Sequence, residues 1–105
     1  MTDKLLVVTT AGSEAEANKI AQALVERRLA ACVNIVPRIQ SVYRWKDKVE
    51  RSEEFLLLIK TKRALEPEIR TAIRELHSYE LPEHVGIAIE YGSKEYLEWI
   101  DESVT

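Results

Sequence analysis

The pattern of apolar and polar positions changes period along the chain, and each change indicates a new element. A continuous apolar run at 5–8 predicts a buried strand followed by a turn. Ser13 with Glu16 three residues later is typical of a capped helix start, and the apolar residues that follow have helical spacing. Arg27 and Arg28 are expected in the last turn of this helix, where the helix dipole favours cations.

The middle of the chain switches to a period of two, which predicts two long strands. These strands cover 31–45 and 49–61, and the polar residues 46–48 form the tip between them. Pro37 has no N–H to donate, so it indicates a bulge or an unpaired edge. Strands usually have about 5–6 residues. We therefore expect this β-hairpin to extend beyond its own domain and to be covered by another subunit.

The last third of the chain predicts a helix, a strand and a terminal helix. Pro67 suits the first turn of a helix, and the alternation from Val85 to Tyr91 predicts the last strand. Gly92 then turns the chain, and Ser93 can cap the final helix. The order β-α-β-β-α-β-α predicts a single α+β domain over residues 1–105, ferredoxin-like with an added C-terminal helix.

Composition and charge limit which cellular compartments and which binding partners are expected for the protein. The net charge of −3 argues against nucleic acid, because phosphate binding needs a basic surface. The longest apolar run, Phe55–Ile59, is too short to span a membrane. A single cysteine, Cys32, and the lack of an apolar segment at 1–4 predict a cytoplasmic protein. A charged fraction of 31% with few Asn and Gln residues favours a heat-stable protein.

The residues that could bind a metal do not form a recognisable motif. Cys32 lies among apolar residues and is predicted to be buried in the core. His77 and His84 are seven residues apart with a proline between them, which is not a ligand spacing. His77 is the metal-ligand candidate, with a hydrogen bond to a carbonyl at the helix end as the alternative. Metal binding is expected to be weak and to involve His77 more than Cys32. The acidic stretch 50–54 is predicted to be a solvated face.

Two classes of protein with this fold, one a type of enzyme and the other an RNA-binding domain, fit the sequence poorly. An acylphosphatase-type enzyme needs an arginine and a phosphate-binding loop after the first strand, and 9–15 has neither. An RNA-recognition domain needs a basic and aromatic motif on a central strand, whereas 55–59 is aliphatic after one Phe. We predict no catalytic residue and no certain cofactor.

Several segments together resemble one protein family. They are Ala-Ala-Cys-Val-Asn-Ile-Val-Pro at 30–37, Ser-Val-Tyr-Arg-Trp at 41–45, Leu-Leu-Ile-Lys-Thr-Lys at 57–62, His-Ser-Tyr-Glu-Leu-Pro-Glu at 77–83, and Gly92 with Tyr96-Leu97-Glu98-Trp99. In register, they resemble the CutA divalent-cation-tolerance family. The resemblance implies a homotrimer with sheet pairing between subunits, similar to PII-type signalling proteins, and a link to tolerance of copper and other divalent cations.

The chain departs from the family pattern at five positions, two of which are Ser78 in place of a frequent Pro and His84 in place of an apolar residue. Asp47 stands where the hairpin tip usually has Gly, and Asp also tolerates turn conformations. Thr9 and Leu76 stand where some members have a Cys and a second His. This leaves His77 as the remaining residue of the copper set that the family implies.

The resemblance and the residues together predict a trimeric, non-catalytic protein of the metal-ion response. In this hypothesis it binds copper, another divalent cation or a small ligand at clefts between subunits. The alternative is a trimeric scaffold or signalling adaptor that organises a partner and has no metal role. The candidates for a ligand cleft are Lys60, Tyr79 and Glu83, although Lys60 is equally an ordinary strand-end lysine. The candidates for the trimer interface are Tyr43, Trp45 and Trp99.

Overall fold

The computed structural model describes residues 2–105, which form one antiparallel sheet and three α-helices. The strands are β1 (Lys4–Ala11), β2 (Cys32–Trp45), β3 (Lys48–Lys62) and β4 (Val85–Ala88). The helices are α1 (Glu14–Glu26), α2 (Glu66–Leu76) and α3 (Lys94–Ser103). The sheet order is β2-β3-β1-β4. This arrangement confirms the α+β, ferredoxin-like fold that the sequence predicts, with the added C-terminal helix.

Both predicted serine caps are formed. The Ser13 hydroxyl accepts a hydrogen bond from the Glu16 N–H at 3.2 Å, and the Ser93 hydroxyl accepts one from the Tyr96 N–H at 3.2 Å. Each bond satisfies one of the N–H groups that a helix start leaves without a partner. Local sequence therefore fixes where α1 and α3 begin.

The end of α1 differs from the prediction. Glu26 is the last helical residue, Arg27 is the C-cap, and Arg28 adopts a left-handed conformation with φ of 60°. The Leu29 N–H donates to the Leu24 carbonyl at 3.0 Å, as in a Schellman motif. The prediction that both arginines lie in the last turn is therefore wrong, because the chain leaves the helix through Arg28.

The two faces of the sheet differ in what covers them. Leu5 and Val7 of β1 and Leu57 and Ile59 of β3 are buried in one core with α1 and α2. Side chains alternate across a strand, so their neighbours point to the other face. These neighbours remain partly exposed; they are Leu6, Val8, Leu56 and Leu58. The sheet therefore has a second apolar face that α1 and α2 do not cover.

The predicted long hairpin projects beyond the rest of the sheet. β2 and β3 pair as far as Trp45 and Lys48, whereas β1 pairs with β3 only from Phe55 to Lys62. The part of β3 over 48–54 thus has a strand neighbour on one side only. This projection accounts for a longest molecular extent of 44 Å against 25 and 23 Å in the other directions.

Two irregularities shape the hairpin. The register between β2 and β3 shifts between Val36 and Ile39, and Arg38 has φ of 58°. This bulge confirms the interpretation of Pro37, which cannot donate to the ladder. At the tip, Lys46 and Asp47 have φ of 50° and 65°. Two positive φ values in a two-residue loop are typical of a type I′ turn, so the turn forms without glycine.

Three further expectations differ from the structure. β4 ends at Ala88 and does not continue to Tyr91. Cys32 is half-buried on the edge strand β2 and does not lie in the buried core. Glu54 is only 7% exposed, so the acidic stretch that includes it is not wholly a solvated face. Among residues 2–105, no helix has the length and apolar composition needed to cross a bilayer.

Candidate functional site

A groove of about 910 Å³ lies between the projecting hairpin and the segment 78–85 that follows α2. The hairpin contributes Tyr43, Trp45 and Glu54, and the segment contributes Tyr79 and the residues up to Val85. The groove thus combines aromatic rings with carboxylates, which are those of Glu54, Glu80 and Glu83. Of the residues that the structure describes, none that lines the groove is Lys or Arg.

Tyr79 connects the segment to the hairpin. Its hydroxyl donates a hydrogen bond to Glu54 Oε2 at 2.8 Å. Burial and the neighbouring Glu54 raise the pKa of Tyr79 above its ordinary value, so the phenol keeps its proton and remains a donor. The ring also lies against Gly12, where a Cβ would be 2.9 Å from the hydroxyl oxygen. Glycine at this position therefore makes room for the Tyr79–Glu54 bond.

His77, the predicted metal ligand, is a buried structural residue. Its Nε2 lies 2.6 Å from the Thr10 carbonyl oxygen, which can only accept, so Nε2 carries a proton and donates. Its Nδ1 accepts the Tyr79 N–H at 3.1 Å and lies 3.3 Å from Glu16 Oε1. The ring therefore bonds to β1 and to its own loop, and not to the end of α2. It does not offer a free nitrogen to a metal.

His84 holds the other end of the groove segment. Its Nε2 lies 2.9 Å from Glu66 Oε2, and the same carboxylate accepts from Arg70 Nε at 2.9 Å. Hydrogen bonds from Arg70 and then from His84 hold the pKa of Glu66 below its ordinary value. The two histidines thus attach the segment at two separate points. Within residues 2–105, no group of three or more His, Cys, Asp or Glu residues is arranged to hold a metal ion.

Glu83 has an unusual environment for a carboxyl group at the surface. Burial in the groove, and after it the charge of Glu54, raise the pKa of Glu83 above its ordinary value. A like charge and partial desolvation both disfavour the ionised form. A cation placed between these two carboxylates would relieve both effects.

The structure brings together some of the predicted site residues and separates others. Tyr79 and Glu83 line the groove with Tyr43 and Trp45. Lys60 lies six positions along β3 from Glu54, roughly 20 Å away at 3.3 Å per residue. Its Nζ is 3.4 Å from the Tyr96 hydroxyl on α3.

Trp99 also lies away from the groove. It is on α3, where its ring centroid is 5.3 Å from that of Tyr96. Of the predicted cleft residues, Tyr79 and Glu83 therefore lie in the groove, whereas Lys60 lies beside α3. Of the predicted interface residues, Tyr43 and Trp45 lie in the groove, whereas Trp99 lies on α3.

Glu54 is the groove residue that sequence analysis missed. The sequence predicts a solvated position for Glu54, because it belongs to the acidic stretch 50–54. Its partner Tyr79 is 25 residues away in sequence, and no spacing rule connects the two. A weak signal was available, since the strand alternation puts Glu54 on the same face as Leu56 and Leu58.

The fold and the groove define the class of the protein, which is a ferredoxin-like α+β domain with a projecting central hairpin. Residues 5–103 match the family model described as CutA1 divalent ion tolerance protein. The chain therefore belongs to the CutA1 family.

Individual relatives are similar over most of the chain. It is 47% identical over 98 residues to the divalent-cation tolerance protein CutA of Thermus thermophilus, covering 93% of this chain and 95% of that protein. It is 44% identical over 91 residues to human Protein CutA, covering 87% of this chain and about half (51%) of the human protein. The crystal structure of CutA from Xylella fastidiosa superposes with a TM-score of 0.96 at 38% identity, covering 99% of this chain and 100% of that one.

Proposed function

We propose that this protein acts in divalent-cation tolerance as a non-catalytic homotrimer in the cytoplasm. The observation that carries the proposal is the second apolar face of the sheet, formed by Leu6, Val8, Leu56 and Leu58 and left partly exposed by the single chain. Water-facing antiparallel sheets normally have polar residues on the exposed side. An apolar face of this kind needs a cover, and other copies of the same chain provide one when heterologous contacts close into a three-membered ring.

The open strand edges support the same assembly. The projecting part of β3 over 48–54 and the outer edges of β2 and β4 have unpaired backbone groups. Exposed edges of this length attract further strands. Apolar side chains accompany them, since Val49 is 69% exposed and Trp45 is 37% exposed. Pairing between subunits would satisfy the edges and bury these side chains at the same time.

In this proposal the divalent cation is bound by the trimer and not by the single chain. One chain does not fit a tight copper site, because both nitrogens of His77, at the end of α2, are engaged and the thiol of Cys32 lies on the edge strand β2. We therefore place contact with a divalent cation or a small ligand at clefts between subunits. The single half-buried thiol supports a reducing compartment such as the cytoplasm. A trimeric scaffold for a partner protein is the second candidate, favoured by Tyr91, which is 84% exposed.

The trimer is tested by light scattering at micromolar concentration. We expect about three times the chain mass of 12.1 kDa. Trp45→Asp should shift the protein towards monomer, because it places an unpaired charge at the expected seam. Gln22→Glu, which adds a charge on the exposed side of α1, is the matched control and should leave the trimer intact. A stable wild-type monomer would contradict the proposal.

Copper binding is tested by equilibrium dialysis of the purified protein. We expect no submicromolar affinity for copper or zinc, since tight sites need about four ligands that one chain does not provide. His77→Gln and Cys32→Ser should each leave the weak binding nearly unchanged. Submicromolar binding that disappears in either variant would show that the residue leaves its present partners to bind metal. A thermal-shift screen of metals and metabolites then separates the two candidates, because a scaffold responds to none.

A further inference from the structure

We propose that the groove between the hairpin and segment 78–85 binds an organic ammonium ion that carries an apolar body. The inference rests on the proposed function, which places a small ligand at clefts between subunits; this groove, which includes Trp45 of the expected seam, forms one wall of such a cleft. The groove is acidic, with carboxylates and no Lys or Arg among its described lining residues. Glu54 is 7% exposed and forms no ion pair with any of residues 2–105.

A buried carboxylate without a cation is unusual. Buried charges in proteins are normally paired or bound to a metal, because the desolvation of an isolated charge is costly. Glu54 accepts one hydrogen bond, from Tyr79 to Oε2, and Glu83 adds a second negative charge to the same groove. The carboxylates of Glu54 and Glu83 are therefore not neutralised by any cationic side chain of residues 2–105.

The arrangement does not suit a metal ion as the source of that charge. Within the part of the chain that the structure describes, the carboxylates do not converge into a set of three metal ligands. A small hard cation needs several oxygens at short distance. An ammonium group can instead donate to one carboxylate and remain near the other, because its attraction does not depend on a closed coordination shell.

The remaining walls indicate what the ammonium group should carry. Tyr43, Trp45 and Tyr79 border the groove, and Tyr43 and Tyr79 are 43% and 37% exposed. Faces of such rings attract organic cations and accept apolar groups. Leu81 and Val85 extend the apolar lining. A volume of about 910 Å³ is within the range of small-molecule sites. The ligand class is thus an amine with an aromatic or aliphatic body.

The test is isothermal titration of the purified protein with 2-phenylethylamine at pH 7. Two controls separate charge from apolar contact, namely neutral 2-phenylethanol and magnesium chloride. We expect the amine to bind at least about tenfold more tightly than either, the change that one charge-assisted contact provides. Equal binding of the alcohol would mean an apolar groove only, and equal binding of magnesium an acidic cluster only. Either result overturns the inference.

Variants assign the binding to the groove. Glu83→Gln and Tyr43→Leu should each weaken amine binding at least about threefold, while Glu68→Gln, on an exposed position of α2, should not change it. The same loss in Glu68→Gln would show unspecific attraction to an acidic protein. Acidification should also weaken binding. The raised pKa of Glu83 means that this group loses its charge at a higher pH than a free carboxyl, while the amine stays charged.

Light scattering of the same samples separates the inference from the proposed function. A trimer that fails to bind the amine overturns the inference alone. A monomer that binds the amine overturns the trimer alone.

Discussion

At the scale of single residues, the groove depends on contacts between positions far apart in the chain. Glycine at position 12 leaves space for the Tyr79 ring, and Tyr79 donates to Glu54. The family motif predicts Tyr79 as a site residue, whereas no motif in the sequence predicts Glu54 or Gly12. A turn glycine after a strand has an ordinary explanation, and a glutamate beside lysines does too. Their role appears only when the fold places them beside one aromatic ring.

We expect Gly12→Ala to destabilise the protein by about 1.5–3 kcal/mol, the typical loss when a hydrogen bond to a charged group is broken. The new Cβ would be 2.9 Å from the Tyr79 hydroxyl, so the ring must move away from Glu54. In a Tyr79→Phe background the same change should cost much less, because the closest remaining ring atom is 3.4 Å away. Urea unfolding of the four proteins measures the coupling.

The control for this cycle is Gly86→Ala on β4. Its Cβ would lie 3.7 Å from the nearest atom of Leu5, an ordinary contact, so stability should stay within about 0.5 kcal/mol. Equal losses for Gly12→Ala in both backgrounds would show that the Tyr79 hydroxyl is not the cause.

At the scale of elements, sequence periodicity predicted all four strands and three helices, and the errors lie at their ends. β4 is shorter than the alternation up to Tyr91 suggested, because the chain leaves the edge of β1 after the Ile89 N–H bonds to the Lys4 carbonyl. The end of α1 was missed because the left-handed position there is Arg28 and not the usual glycine. The Arg28 side chain compensates by donating to the carbonyls of Glu102 and Ser103 at the end of α3.

Arg28 therefore has a strained backbone and two stabilising side-chain hydrogen bonds. Two substitutions separate the contribution of the strain from that of the hydrogen bonds. Arg28→Ala loses the bonds and keeps φ of 60°, whereas Arg28→Gly loses the bonds but removes the strain. We expect the glycine variant to be more stable than the alanine variant by about 1 kcal/mol in chemical unfolding. Asp47→Gly, at φ of 65° in the hairpin turn, is the comparison and should stabilise by about 0.5–1 kcal/mol. Indistinguishable Gly and Ala variants would show that backbone strain at Arg28 is negligible.

At the scale of the whole molecule, the sequence predicted the fold class and the overhanging hairpin from periodicity and strand length. It did not predict that the ligand candidates would separate, with Lys60 at α3 and Tyr79 in the groove. Distances across a sheet depend on register, and register depends on bulges such as the one after Val36. The trimer and the heat stability stay predictions, and both concern properties that one chain does not display.

We expect a melting temperature above about 90 °C, the level usually called hyperstable. The chain is 31% charged with few amides, and ion-pair networks gain value with temperature because desolvation of charge then costs less. Assembly adds stability by mass action, so reversible melting should shift upwards with protein concentration. Calorimetry across a hundredfold dilution measures both effects.

Two outcomes of that calorimetry have different meanings. Melting at about 55 °C, as in ordinary mesophilic domains, would refute the argument from composition. A high melting temperature that does not change with concentration, under reversible conditions, would contradict unfolding coupled to dissociation of the trimer.

The sheet order also has a consequence for how the protein folds during synthesis. β1 pairs with β4, and the first such pair joins Leu5 to Ala88, so one edge of the first strand stays unpaired until the last strand has been synthesised. At roughly 5–20 residues per second, a nascent chain leaves that strand edge unpaired for several seconds. Contacts between distant residues also slow folding itself, because the loop must close first. The early strand Lys4–Ala11 is therefore the segment that most needs protection by the ribosome or a chaperone before Val85–Ala88 emerges.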